Sequence, residues 1–464
     1  MTQKIELLAP GGSVEAIKAA IIAGADAVYC GLDTFNARNR ASNISFDELV
    51  GIIRLAHQYS CEIFLTLNIV ILEREFKTLA KLLSRLANTT LDGVIVQDIG
   101  LFYILKKHFP TLDIHASTQM TTHNIGQIPF LKQLGASRVN LSRELNLREI
   151  TAINTVAHAN DTLTEVFVHG SLCIAFSGLC YSTSASVGNS GNRGRCSQAC
   201  REEYETTESG NNFPLNIKDN SAFFDLPALI EAGVDSFKIE GRIKGSSYVH
   251  TVVDSFRKQI DGVLATGESV EDGERLYKVF NRDFSNAFLR GDLNQSMFID
   301  NPRDNSKKHA VDKAQQISVV QIEDASRAYY DEKNEINATV DDKIKTLNID
   351  KLSLKLAFSG QLNEPLVINV VTQDHLGKTN TFRVSSNSTL TQSDGVGIDG
   401  DVVAQRFKTL NSAGYTLDAL NLDALGASLV IPFKELGKLK NDIACELNES
   451  QPLVPAVELP KLVN

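Results

Sequence analysis

The chain has 464 residues, 43% of them hydrophobic and 22% charged, with seven cysteines and a formal net charge of −10. That balance suits a globular chain of two or three domains and excludes the overall basic footprint of a general nucleic-acid binder. No apolar run approaches the ~20 residues of a membrane span, the MTQKIELLAPGG start has no apolar signal core and an odd cysteine count argues against a secreted disulfide framework, so a cytoplasmic protein with no membrane partner is expected.

Taken in chain order, eight short Val- and Ile-rich runs alternate with segments of helical periodicity: Ile5–Leu8, Ala27–Cys30, Ile63–Leu67, Gly93–Val96, Asp113–Ala116, Arg138–Leu141, Glu165–Val168 and Ser236–Glu240. AGADAVYCG, LGASRVNLS and AGVDSFKIEG each place a glycine where a helix can end in the left-handed conformation before a strand begins. Eight βα units over residues 1–260 predict a (β/α)₈ TIM-like barrel, with a doubly wound open sheet as the competing α/β architecture. In a barrel the active site lies at the carboxyl ends of the strands, which makes the polar residues there candidates. These are Asn36 and Arg38, Asn68, Gln97 and Asp98, Ser117 and Gln119, Arg143 and Glu144, His169, then Glu240 and Arg242.

Between the seventh and eighth runs lies an insertion in which Cys173, Cys180, Cys196 and Cys200 fall within 28 residues; Cys30, Cys61 and Cys445 are the other cysteines. Four clustered thiols suit a soft metal site, zinc or iron-sulfur. Their spacing is not the paired CxxC of most zinc ribbons and leaves the metal open; a disulfide pair or unrelated buried thiols are the plainer alternatives. Arg193, Arg195 and Arg201 offset the charge that clustered thiolates carry.

Residues 261–312 are polar and turn-rich and read as a barrel extension and linker. From 313 to 464, QQISVVQIED, KLSLKLAFSG, PLVINVVTQD and KTNTFRVSSN predict a smaller, mostly β C-terminal domain, closed by a helical stretch around Ile443. Gly395, Gly397 and Gly400 match GxGxxG formally, but no strand leads into them, so a turn is expected.

EVFVHGSLCIAFSGLCYS, with LLAPGGSVEAIKAAIIAGADAVYCG, FNARNRASNISFDEL, IHASTQM, NRGRCSQACR, AGVDSFKIEGRIK and FNRDFSNAFLRGD, resembles the peptidase U-32 family, the collagenase-like proteins, over about the first 300 residues. The C-terminal region is similar to the extra domain of the branch typified by the ribosomal RNA cytidine hydroxylase. The resemblance implies RNA pyrimidine 5-hydroxylation, ribosomal cytidine ahead of transfer RNA uridine. It further implies a 4Fe-4S cluster and prephenate as hydroxyl source. Carried onto this chain, the cluster ligands are Cys173, Cys180, Cys196 and Cys200. Some relatives carry a cysteine in a KDLC segment where this chain has Ser221, which makes Cys200 the necessary fourth ligand or leaves an open iron.

Arg38, Arg242 and Lys244 suit a dicarboxylate or RNA phosphates. Asn68 and Gln119 complete the expected substrate-binding set, and His169, His115 and Glu240 the proton-transferring one. An electron donor is a possible further partner. Two rival readings remain open on the sequence: a peptidase using Cys173 and His169, and a non-catalytic RNA-binding or assembly factor with structural zinc.

Overall fold

The computed structural model describes residues 5–37, 44–205, 208, 210–314, 318–374, 376–393 and 397–457, and divides into two compact units, the first ending at Leu347 and the second made of Asn348 onward together with Phe46–Leu55 and Ala80–Thr90. In the first, strands β1 (Glu6–Pro10), β2 (Ala27–Cys30), β3 (Glu62–Leu67), β4 (Gly93–Val96), β5 (Ile114–Ala116), β6 (Ala136–Asn140) and β7 (Leu163–Gly170) pair in sequence, all parallel. After β8 (Asp219–Ser221) comes β9 (Ser236–Ile239), which pairs parallel with both β7 and β1. That double pairing closes an eight-stranded barrel and rules out the open sheet. β8 runs antiparallel to β7 and carries β10 (Phe284–Ser285) outside the ring.

Burial of both faces explains why most of these strands read as near-continuous apolar runs. The helices between them are started by side chains that satisfy orphan amides. Asp98 Oδ1 accepts from Leu101 N at 3.0 Å, and Asn146 forms a capping box with Glu149. Gly24, Gly135 and Gly233, at the repeated helix-to-strand junctions, have φ of +91°, +102° and +82°, as the punctuation predicted.

One segment departs from expectation. QQISVVQIED was read as β, but Val319–Ile344 is a 26-residue helix, opened by a Ser318–Gln321 capping box. Its first turn imitates a strand because β-branched residues crowd there. Further along, Ile336, Val340 and Ile344 recur at helical spacing and pack on Ala19 and Ile22. The passage read as extension and linker also holds helix, at Ala287–Arg290 and Ser306–Lys313.

The second unit contains β11 (Leu352–Gly360), β12 (Pro365–Gln373), β13 (Thr379–Thr389), β14 (Thr391–Gln392), β15 (Tyr415–Leu425) and β16 (Leu429–Val430). Its main sheet has the order β13-β12-β11-β15, antiparallel except for the β11–β15 pair. Leu354, Leu356 and Phe358 alternate inward along β11 and form a core with Val403 and Phe407 of the Gly400–Phe407 helix and Leu436, Leu439 and Ile443 of the Phe433–Leu447 helix. Gly400, expected in a turn, begins a helix capped by Asp399; Gly395 lies outside the described residues.

Candidate active site

A cavity of about 430 Å³ opens at the carboxyl ends of the barrel strands. Its wall is built by Asn68 after β3, Ser117 and Gln119 after β5, Arg143 after β6, Glu240 and Arg242 after β9, and the excursion that leaves β7. All four clustered cysteines line it.

Local hydrogen bonds hold that excursion in place. Glu144 accepts from Ser177 N at 3.0 Å and Ser177 Oγ at 2.9 Å, Thr121 Oγ1 donates to Ser177 O at 2.8 Å, and Arg193 pairs with Glu75 at 2.7 Å. Arg201 donates to the carbonyls of Leu172 and Ile217, each at 2.6 Å, which ties the residue before Cys173 to the chain that returns after Cys200. Gly178, at φ +77°, packs where a Cβ would stand 2.5 Å from the Gln119 carbonyl oxygen; the close approach requires glycine.

The thiols are not equivalent. Hydrogen bonding from Cys200 pulls Cys173 down to about 5, against the burial that opposes ionisation and with help from Arg143 and Arg201. Cys200 is pushed up by that same bond and by burial, opposite shifts that belong to the pair and not to either thiol alone. Cys180 Sγ is 3.2 Å from Ser182 Oγ, and Cys196 Sγ accepts from Gln198 N at 3.4 Å. Among the described residues no three Cys, His, Asp or Glu side chains gather into a ligating nest. The donor chemistry on the cavity wall, four soft sulfurs with guanidinium groups beside them, nevertheless fits a thiophilic metal or iron-sulfur group and not a hard cation.

Of the residues singled out from sequence, Asn68, Ser117, Gln119, Arg143, Glu240, Arg242 and the four cysteines meet at this cavity. Arg242 is buried and donates to Thr66 Oγ1 at 3.0 Å and Asn36 Oδ1 at 3.3 Å. Asn68 Oδ1 accepts from Ala37 N at 3.1 Å. The structure takes the others elsewhere. His115 is buried in β5, bonded to Asp113 at 2.9 Å and edge-on to Phe64. His169 is enclosed by Phe256 and Phe284, with Nδ1 3.4 Å from Ser221 Oγ, and burial pushes its imidazole down to about 3. Lys244 lines a separate cavity of about 380 Å³, its Nζ 2.8 Å from the Phe280 ring centre, where burial draws it down to about 8. Arg38 lies outside the described residues.

Sequence reasoning missed the cavity floor. Tyr29, Thr66, Asn140, Phe167 and Lys238 all sit inside strands, below the ends where candidates were sought. Beneath them Glu165 Oε1 accepts from Lys238 Nζ and from Asn140 Nδ2, both at 2.6 Å. Arg138 Nη1 stands 3.6 Å from Glu165 Oε2, and the same guanidinium forks onto Glu6, with Nη2 to Oε2 at 2.8 Å. The available signal was charge in strands otherwise buried: SRVN, EVFV and SFKI.

Fold and cavity together define a (β/α)₈-barrel protein with a thiol-lined mouth. Residues 12–298 match the model of peptidase family U32, and the chain belongs to that family. It is 40% identical over 269 residues to the 23S rRNA 5-hydroxycytidine C2501 synthase of Escherichia coli strain K12, a match covering 57% of this chain but 40% of that protein. The tRNA hydroxylation protein P1 of Bacillus subtilis is 35% identical, covering 63% and 72% of the two chains, and the uncharacterized protease MJ0090 of Methanocaldococcus jannaschii is 36% identical, covering 64% and 75%. The solved U32 peptidase Mk0906 aligns with a TM-score of 0.34 at 14% identity, over 52% of this chain and 95% of that one. No described helix is long and apolar enough to cross a membrane.

Proposed function

We propose that this protein hydroxylates C5 of a pyrimidine in RNA, ribosomal cytidine ahead of transfer RNA uridine. The observation that carries the reading is the convergence of four thiols on one cavity at the catalytic end of a barrel, in a chain with relatives named for RNA hydroxylation beside others named as proteases. Cys173, Cys180, Cys196 and Cys200 would hold an iron-sulfur cluster, which supplies one-electron chemistry when bound; zinc, the alternative, supplies none. Arg242 would orient an anionic co-substrate such as prephenate, and Glu240 beside it would hold or move a proton. RNA is the partner, with an electron donor and a cytoplasmic setting in keeping with it.

A thiol peptidase is less well supported, because among the described residues no histidine lines the cavity and His169 is packed among aromatic rings. The test is mass spectrometry of ribosomal and transfer RNA nucleosides from a deletion strain, with iron, acid-labile sulfide and zinc measured on protein purified without oxygen. Loss of one hydroxylated pyrimidine, and iron and sulfide lost on Cys200→Ser, are expected. Unchanged nucleosides would reject the hydroxylase, and stoichiometric zinc without sulfide would reject the redox site.

A further inference from the structure

We propose that the cavity floor reads the Watson–Crick edge of a single extruded nucleobase, with Asn140 as hydrogen-bond acceptor and Lys238 as donor. The inference rests on the RNA-pyrimidine reading above and names the part of the cavity that holds the ring.

Asn140 and Lys238 are each 3% exposed, and both line the cavity. The Asn140 amide is oriented by its neighbour: Nδ2 donates to Glu165 Oε1 at 2.6 Å, and a carboxylate can only accept. Oδ1 is therefore an acceptor, and it is a buried atom with no hydrogen-bond partner in the structure. Lys238 supplies the opposite polarity. Its ammonium carries three donors, of which Glu165 takes one at 2.6 Å, while the Tyr29 and Phe167 rings lie 4.4 and 5.5 Å from Nζ. Both side chains are anchored on the same carboxylate oxygen, which holds a donor and an acceptor on one support in the cavity lining. Leaving such groups unpaired is costly, so a ligand that satisfies both is strongly favoured over one that satisfies neither.

An adjacent donor and acceptor is what the Watson–Crick edge of a pyrimidine offers: N4–H beside N3 in cytosine, N3–H beside O4 in uracil. The two rings present this pair in opposite order, so the lining takes cytosine by N4–H and N3, and uracil by N3–H with one of its flanking carbonyl oxygens. Ring geometry supplies the rest of the argument. N1, C6 and C5 lie opposite the C4–N3–C2 edge, so a base inserted edge-first sends its glycosidic bond out through the mouth and turns C5 toward the wall that carries the cysteines. A duplex cannot enter a barrel interior, so the base must leave its stack.

The full chain would be titrated with cytidine 5′-monophosphate, uridine 5′-monophosphate and ribose 5-phosphate, with binding followed by ligand-observed NMR. Pyrimidine nucleotides are expected to bind at least about tenfold more tightly than ribose 5-phosphate, and Asn140→Ala and Lys238→Met each to lose about tenfold of that base-dependent affinity. Asn140→Ser, which keeps a hydroxyl donor in place of the amide, should show the same loss while circular dichroism confirms that the variant is folded. Equal affinity with and without a base, or folded variants that bind as the parent does, would overturn the proposal. Failure of the functional reading would look different: base binding lost in the variants while a deletion strain keeps every hydroxylated nucleoside.

Discussion

Glu165→Gln tests the charged network under the cavity. The side chain is 2% exposed and is the only carboxylate that Lys238 touches among the described residues, at 2.6 Å, whereas Arg138 retains its fork onto Glu6. Glutamine keeps the shape and removes the charge, so the ammonium is left buried without a counter-ion; breaking one side of a buried pair costs about 3–5 kcal/mol. At about 2 °C per kcal/mol for a unit of this size, the barrel transition should fall by roughly 6–10 °C in calorimetry. Adding Lys238→Met removes the stranded charge and should recover much of the loss, making the two changes non-additive. The ion pairs also set the sign of the acid response. Although burial opposes ionisation, Lys238 and Arg138 hold the Glu165 carboxyl below its ordinary value, so its contribution is present above the unfolded carboxylate range and is lost as pH falls through the lower folded value. A Glu165→Gln midpoint within about 1 °C of the parent's, or strict additivity with Lys238→Met, would refute the reasoning.

Three further outcomes follow from the same coordinates. A Cβ at Gly31 would overlap Arg242 Nη2 and press on Thr66 Oγ1, so Gly31→Ala should displace the guanidinium and cost about 1–3 kcal/mol in urea unfolding, with a fall in any activity that Arg242 supports. Lys244 is drawn down to about 8 by burial from its ordinary 10.5, so between those values the unfolded chain binds the extra proton and stability rises with pH. Lys244→Met should flatten that rise in unfolding titrations from pH 7 to pH 11. Phe358 is fully buried and sits edge-on to Phe407 at 5.3 Å; Phe358→Ala should destabilise the second unit by about 3–5 kcal/mol, read as earlier loss of amide-exchange protection along β11.

The barrel was legible because its staves are buried on both faces, so each reads as a short apolar run between glycine-punctuated helices. Asn68, Gln119, Glu240 and Arg242 were legible for a related reason: a residue just past a parallel strand has few places to go except the catalytic end. Position after a strand does not determine direction, however, and His169 turned into an aromatic cluster instead of the cavity. Asn140 and Lys238 were passed over because they stand within strands. Only the pleat's alternation, followed through Arg138–Asn140 and Lys238–Glu240, points such residues inward. The helix from Val319 was hidden by a β-branched first turn, and its register emerged only over the following residues.

The way the barrel closes also governs when its parts can meet. β9 joins β1 across 230 residues of sequence, from Ser236 to Glu6, and every cysteine of the cluster is translated before it. A nascent chain therefore releases those four thiols ahead of the final stave that completes a cavity around them. Any metal delivery, and any oxidative damage, has its first opportunity on the ribosome and not on the finished molecule.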